Sequence, residues 1–310
     1  MNIKQLNYFL TIAECSSIAS AARKLKIAQP ALSLQISKLE HELKTVLFSR
    51  GSKGVRLTES GNIFKSHAHL MLAQLEKAIA DLSELEGSPK GTIVIAMNQA
   101  TDNLLALPLC RAVERKYPGI DLDLRTGLSY EVVNMINRGE ADLAIIYEDG
   151  QKNENINKEL LIKENLLFAT KSKHNSKNNT IDYKDLCQYE LVITSEKESQ
   201  GYIIEKYEES TGIKLNKRRP YGQLLTSLRF ACEGYCHLLL PSSAFYHLEE
   251  SGLLNSFKVI EPEIYRNVYI AVNANRPVRN ISLEIIKIIK SLTKKANNDG
   301  IWQGYLPSGS

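Results

Sequence analysis

The stretch from residue 17 to residue 60 constrains this chain more than any other, because two short helical patterns are followed there by a basic turn bracketed by glycines. Ser16 or Ser17 suits an N-cap, and Ile18, Ala21, Ala22 and Leu25 then share one helical face. Pro30 suits the first position of a second helix, where its missing N–H and fixed φ cost nothing. Leu32, Ile36, Leu39 and Leu43 then fall into one buried stripe. Ala31, Ser33, Leu34, Gln35, Ser37 and Lys38 are left on or near the outward faces. Small, hydroxyl, amide and cationic side chains placed there can reach base edges in a DNA major groove without blocking the helix's approach.

Upstream, Leu6, Phe9, Leu10 and Ala13 predict an amphipathic first helix. Downstream, residues 47–50 and 55–57 predict two short strands, with Gly51 and Gly54 in the turn and Arg50, Lys53 and Arg56 on the projection. Three helices and a wing, carried by SAARKL, QPALSLQISKLEHEL, LFSR and VRLTESG in order, resemble the DNA-binding domain of LysR-type transcriptional regulators over residues 1–60. The resemblance implies contact with double-stranded promoter or operator DNA through Ser17, Gln29, Pro30, Ser33, Leu34, Gln35, Lys38, Arg50, Lys53 and Arg56. Gln29, Ser33 and Gln35 are better suited to base reading than Leu34, while Lys38 and the wing cations suit phosphate, which positions without specifying sequence. The plain alternative for each is an exposed residue with no role. Two positions depart from the family pattern: Leu34 stands where arginine is usual, and Lys44 where glycine is usual.

Charge supports the resemblance by its location. Residues 1–60 hold nine Lys and Arg against four Glu, a surplus of five, which leaves the rest of the chain near −1 of the +4 total. A basic N-terminal domain on a near-neutral body fits a DNA reader whose body binds something else. Five cysteines without a CxxC pair, and no His/Cys cluster at zinc spacing, argue against a metal site; Cys232 and Cys236 read first as packing. Residues 1–15 do not form a signal peptide and no apolar run approaches membrane-spanning length, so the expectation is a cytoplasmic bacterial protein, nucleoid-associated when DNA-bound, with no membrane partner.

After Thr58, a suitable N-cap, a helical pattern runs to about residue 86. Phe64, Ala68, Met71, Leu75, Ala78, Leu82 and Leu85 alternate spacings of four and three, an a/d seam for pairing two copies as a homodimer or, through further contacts, a homotetramer. The alternative is a long helix lying on its own body domain, which gives a similar stripe. Residues 87–91 (GSPKG) end the helix in a hinge.

From Thr92 strands and helices alternate, which predicts parallel sheets covered by helices. The segments PLCRAVERKYPGIDLDLRTG, INRGEADLAIIY and LLLPSSA resemble the two-lobed, type 2 periplasmic-binding-protein-like domain with which the LysR family senses small molecules. The expected architecture is therefore multidomain. An all-α winged helix-turn-helix covers 1–60 and a linker helix with hinge covers 61–91. An α/β regulatory domain covers 92–296, lobe I being about 92–163 with 265–296 and lobe II about 164–264; a tail covers 297–310 and fits neither lobe by pattern. In such folds a ligand sits beyond strand C-terminal ends and near helix N-termini. That placement points to Asn98, Gln99, Thr101, Ser129, Tyr147, Thr194 and Ser195 for a small polar effector. The same hydroxyls also suit helix caps, Thr101 or Asp102 being the obvious one.

Within the family, KIAQPALS, LPLCRAVERKYPGI and DLAIIYE look most like the nitrogen assimilation control type, whose members can act without an inducer. The sequence thus leads to an oligomeric, sequence-specific regulator, with RNA polymerase as the partner that such a role implies. An effector-independent regulator or an architectural DNA binder is the alternative. Catalysis is not expected, since no glycine-rich phosphate loop, GxSxG or metal-spaced His/Asp set occurs, and no cofactor is implied.

Overall fold

A computed structural model describes residues 1–51, 54–84, 89–172, 179–194, 198–220 and 222–307, without the side chains of 50, 51, 73, 76, 77 and 79–84. The chain forms two compact units, residues 1–82 and 83–310.

In the first unit, α1 (Ile3–Cys15), α2 (Ile18–Leu25) and α3 (Gln29–Leu43) precede a hairpin of β1 (Phe48–Gly51) and β2 (Gly54–Leu57), and α4 (Glu59–Glu84) follows. Ser17 caps α2 by accepting the Ser20 N–H at 3.3 Å. Leu32, Ile36 and Leu39 of α3 are buried with Leu6, Phe9 and Ile12 of α1. Ala28 is the N-cap of α3, so Pro30 sits one residue inside its first turn and still displaces no intrahelical donor. The helix ends at Lys44, whose φ of 52° is the left-handed conformation that glycine adopts most easily. The lysine there accepts a backbone cost that the more usual glycine would avoid.

The second unit begins with β3 (Gly91–Met97), α5 (Gln99–Lys116), β4 (Ile120–Thr126), α6 (Ser129–Arg138), β5 (Leu143–Tyr147) and β6 (Ile156–Asn165). It continues with β7 (Leu167–Thr170), β8 (Thr180–Asp182), β9 (Leu191–Val192), α7 (Ser199–Thr211), β10 (Lys217–Arg218) and α8 (Leu224–Cys232). It closes with β11 (His237–Leu240), α9 (Tyr246–Glu250), β12 (Asn255–Ile260), β13 (Tyr265–Asn273), α10 (Asn280–Asn298) and β14 (Gly304–Tyr305). Two mixed sheets result. The order in lobe I is β14-β6-β13-β5-β3-β4 and in lobe II β10-β9-β11-β7-β12-β8.

Lobe I is sandwiched by helices. Ile93, Ile95 and Met97 of β3 pack on the face carrying Leu109 of α5 and Ile285 of α10, while Ala96 turns to Val132 and Ile136 of α6. β5 is buried along its whole length, as a strand covered on both faces must be.

The expectation of parallel sheets holds for β3 with β4 and β5, but β13 runs antiparallel to both β5 and β6. Helix α5 starts at Gln99, and its cap is Asn98, whose Oδ1 accepts the Thr101 N–H at 3.2 Å; neither Thr101 nor Asp102 is the cap. Residues 297–307, which fit neither lobe by pattern, belong to lobe I. Trp302 is fully buried in its core and β14 pairs with β6.

Candidate nucleic-acid interface and interlobe cleft

The N-terminal unit presents α3 beside the wing. Gln29 and Pro30 are exposed at the start of α3, Leu34 is 55% exposed, Lys38 is exposed, and Ser33 and Gln35 are half-buried. Gln35 is partly restrained, because its Oε1 accepts from Gln5 Nε2 at 3.4 Å. Ser17 is half-buried and engaged in capping α2. The wing is held by backbone bonds. Glu40 Oε1 accepts the N–H groups of Leu47 at 2.7 Å and Phe48 at 3.1 Å, and Ser16 O accepts the Val55 N–H at 3.0 Å. Gly54, at φ 110°, is required by this docking, since a Cβ there would lie 2.6 Å from Ser16 O. Arg56 is exposed on β2. Lys53 and the side chain of Arg50 lie outside the described residues.

Along α4 the seven seam positions divide. Ala68 is fully buried in the core of its own unit, and Phe64 and Met71 pack against that core, Phe64 with its ring 4.9 Å from that of Phe9. Leu75 is half-buried and Ala78 exposed. Leu85 and the side chain of Leu82 lie outside the described residues.

In the second unit a cleft of about 320 Å³ opens between the lobes. Asn98, Gln99, Ser129, Tyr147 and Thr194 line it. Thr101 does not: it is buried behind the wall, with its hydroxyl 2.9 Å from that of Tyr147. Tyr147 also donates to Asn98 Oδ1, and burial pushes its phenol up to about 12, so the ring is a neutral strut. Ser195 lies outside the described residues.

Several cleft residues escaped sequence reasoning, Arg266 foremost. This β13 arginine is only 5% exposed, stacks on the Tyr147 ring with Cζ 3.5 Å from its centroid, and donates from Nε to Glu164 Oε1 at 2.6 Å. Glu164 is itself fully buried and takes the Trp302 indole N–H on its other oxygen at 2.7 Å. Glu131 and Glu198 hold the start of α6. They accept the Leu128 N–H at 2.8 Å and the Ser129 N–H at 3.3 Å, the latter from across the cleft. Gln99 Nε2 donates to Gln223 Oε1 at 3.0 Å and Gln99 Oε1 accepts the Leu224 N–H at 3.3 Å, a two-bond link between lobes. Gln200 ties Thr194 to β11, accepting the Thr194 N–H at 3.0 Å and donating to Leu239 O at 2.5 Å. A helix N-terminus with free donors would attract an anion, but at α6 the Leu128 and Ser129 N–H groups are already taken by carboxylates of the chain itself.

Comparison with known proteins agrees with both halves of this geometry. Residues 3–62 match the model of the bacterial regulatory helix-turn-helix protein, lysR family, and residues 86–292 match the LysR substrate binding domain. A probable RuBisCO transcriptional regulator of Emiliania huxleyi is 28% identical over 308 residues, covering 96% of this chain and 98% of that one. The nitrogen assimilation regulatory protein of Escherichia coli is 29% identical over 197 residues, covering 63% of this chain and 64% of the other. Full-length OxyR from Pseudomonas aeruginosa has the same fold, with a TM-score of 0.71 at 21% identity over 95% of this chain and 98% of that one. CbnR complexed with its target DNA follows at a TM-score of 0.65 and 18% identity, covering 96% of this chain and 100% of that one. With a helix-turn-helix unit and a two-lobed body each matched by the family's own models, this chain belongs to the LysR family of DNA-binding transcription regulators.

Proposed function

We propose that the chain works as a homodimer or homotetramer that recognises a two-fold symmetric operator, acts in the cytoplasm on nucleoid DNA and on RNA polymerase, and is tuned by a small polar effector in the interlobe cleft. The observation that carries the reading is the exposed face of α3 set beside the wing. Gln29, Ser33 and Gln35 are the base readers, Leu34 offers an apolar contact to a thymine methyl, and Lys38 with the wing cations holds phosphate. The half of α4 beyond Met71 joins two copies, and their two-fold axis matches half-sites to recognition helices. No catalytic step is assigned.

Selection of genomic fragments by the purified protein at about physiological salt, followed by footprinting, tests this reading. A sequence-specific regulator enriches its operator by roughly 10³ or more over bulk DNA and protects a symmetric site. An architectural binder shows no enrichment and an affinity set by salt. On the selected operator, Ser33→Ala or Gln35→Ala should lose discrimination worth about 1–3 kcal/mol at one base position. Lys38→Ala should weaken every DNA alike and flatten the salt slope by about one. Equal losses on all sequences from all three changes would remove the base-reading assignment.

A further inference from the structure

Arg266 and Thr194 each leave polar groups on the cleft wall without a partner. All five guanidinium N–H groups of Arg266 are donors, yet among the described residues only Nε donates, to Glu164. The terminal nitrogens Nη1 and Nη2 thus sit in a residue that is 5% exposed, with no acceptor among the described residues. The Thr194 hydroxyl is buried and likewise unpartnered among the described residues. A buried hydroxyl without a partner is costly, and a planar fork with two parallel N–H groups facing a cleft matches a carboxylate.

Elsewhere on the wall the charge is reversed, Glu131 on the same lobe as Arg266 and Glu198 on the other. Among the described residues the charged side chains on its wall are Arg266, Glu131 and Glu198. Glu131 and Glu198 each spend one oxygen on the α6 backbone, and among the described residues Glu198 Oε1 accepts nothing. Arg266 is already neutralised by Glu164 behind it. A ligand that is only an anion would therefore meet surplus negative charge from the described wall, and one that is only a cation would leave the Arg266 fork empty. Val192, Leu224, Leu238 and Leu240 add an apolar wall from lobe II. The volume, about 320 Å³, lies at the small end of ligand sites.

We propose that the cleft is a receptor for a free α-amino acid with an uncharged side chain, its carboxylate on the Nη1–Nη2 fork of Arg266 and its ammonium between Glu131 and Glu198. This rests on the reading of the cleft as the effector site and names its ligand class. Because Arg266 and Glu131 stand on lobe I elements and Glu198 leads into α7 of lobe II, the bound zwitterion bridges the lobes beside the Gln99–Gln223 link.

The test uses the full-length protein, calorimetric titration and matched probes: the uncharged proteinogenic L-amino acids, then the deaminated acid and the decarboxylated amine of whichever binds. For L-leucine these are 4-methylpentanoate and isoamylamine; for L-phenylalanine, 3-phenylpropanoate and phenethylamine. At least one amino acid should bind, with its acid and its amine each weaker by roughly tenfold or more. Glu198→Gln should weaken the amino acid by a similar factor and leave the deaminated acid unchanged or tighter. Arg266→Gln should abolish carboxylate-dependent binding. Since that change strands Glu164, Glu198→Gln, at a half-buried side chain, provides an arm independent of folding. Binding of the acid as tightly as the amino acid, or an amino-acid affinity indifferent to Glu198→Gln, overturns the proposal while leaving an effector cleft in place. No binding by any amino acid overturns it too, and the operator footprint then still decides the regulator reading separately.

Discussion

One carboxylate oxygen of Glu40 takes the backbone N–H groups of both Leu47 and Phe48, so the recognition helix and the wing are joined by two bonds to a single atom. Glu40→Ala leaves two buried donors unsatisfied. It should cost roughly 2 kcal/mol or more in chemical denaturation and loosen the wing's hold on DNA, with Glu40→Gln recovering most of both. His237 gives a pH signature. Burial holds its imidazole below the ordinary value, its Nδ1 lies 2.9 Å from Thr170 Oγ1, and its ring packs on Phe168 and Tyr189. The folded state therefore binds fewer protons than the unfolded one below about pH 6.5. Stability should be complete above that pH and fall as pH drops towards the lowered folded value. Thermal melts from pH 7 to pH 5 should show a steeper decline for the parent than for His237→Gln. Glu284 acts in a lower window. The Lys287 ammonium and the Tyr117 hydroxyl hold it down to about 2, so its contribution is lost only as pH falls below the ordinary carboxylate range. At this scale the sequence was legible where a residue's role is local. Asn98, Gln99, Ser129, Tyr147 and Thr194 reach the cleft because strand ends and helix starts define it. Arg266 was not legible, since the carboxylate that permits its burial is Glu164, 102 positions away.

Elements with one dominant apolar stripe read well from sequence: α1 and α3 each have a single buried face. Strand β6 did not, because INKELLIKEN mixes exposed Asn157, Lys158 and Glu159 with buried Leu161, Ile162, Glu164 and Asn165 and has no period of two. Its pairing comes from β13 and β14, far along the chain. The seam of α4 shows how one periodicity serves two surfaces. Phe64, Ala68 and Met71 pack into the core of the N-terminal unit, whereas Leu75 is half-buried outside that core and Ala78 is exposed. Leu75→Glu should therefore dissociate the dimer in sedimentation measurements with little change in the unit's melting, and an unchanged dimer mass would remove the seam from α4. Ala68→Glu, by contrast, should unfold the N-terminal unit.

For the molecule as a whole, the segment after α10 closes lobe I. Trp302 fills its core, Asn165 N–H donates to Gln303 O at 3.0 Å, and Gln303 N–H donates to Ser242 Oγ of lobe II at 2.9 Å. Trp302→Ala should cost about 3–5 kcal/mol in the stability of the second unit, through the lost volume and the donor withdrawn from Glu164. A normal melting profile after that change would show that the segment is dispensable. Composition hides this role, because GIWQGYLPSGS has the glycine and serine content of a loose end and its sheet partner β6, with Glu164, lies more than a hundred residues earlier. The two units also differ in what they do with light. The chain has one tryptophan, and it is Trp302; the first unit has Tyr8 as its one tyrosine. Indole emission excited at the red edge is therefore a gauge of the regulatory body alone, silent to melting of the DNA-binding unit. Its indole N–H rests on Glu164, whose other oxygen holds Arg266, so the chain carries its own fluorophore one residue removed from the cleft.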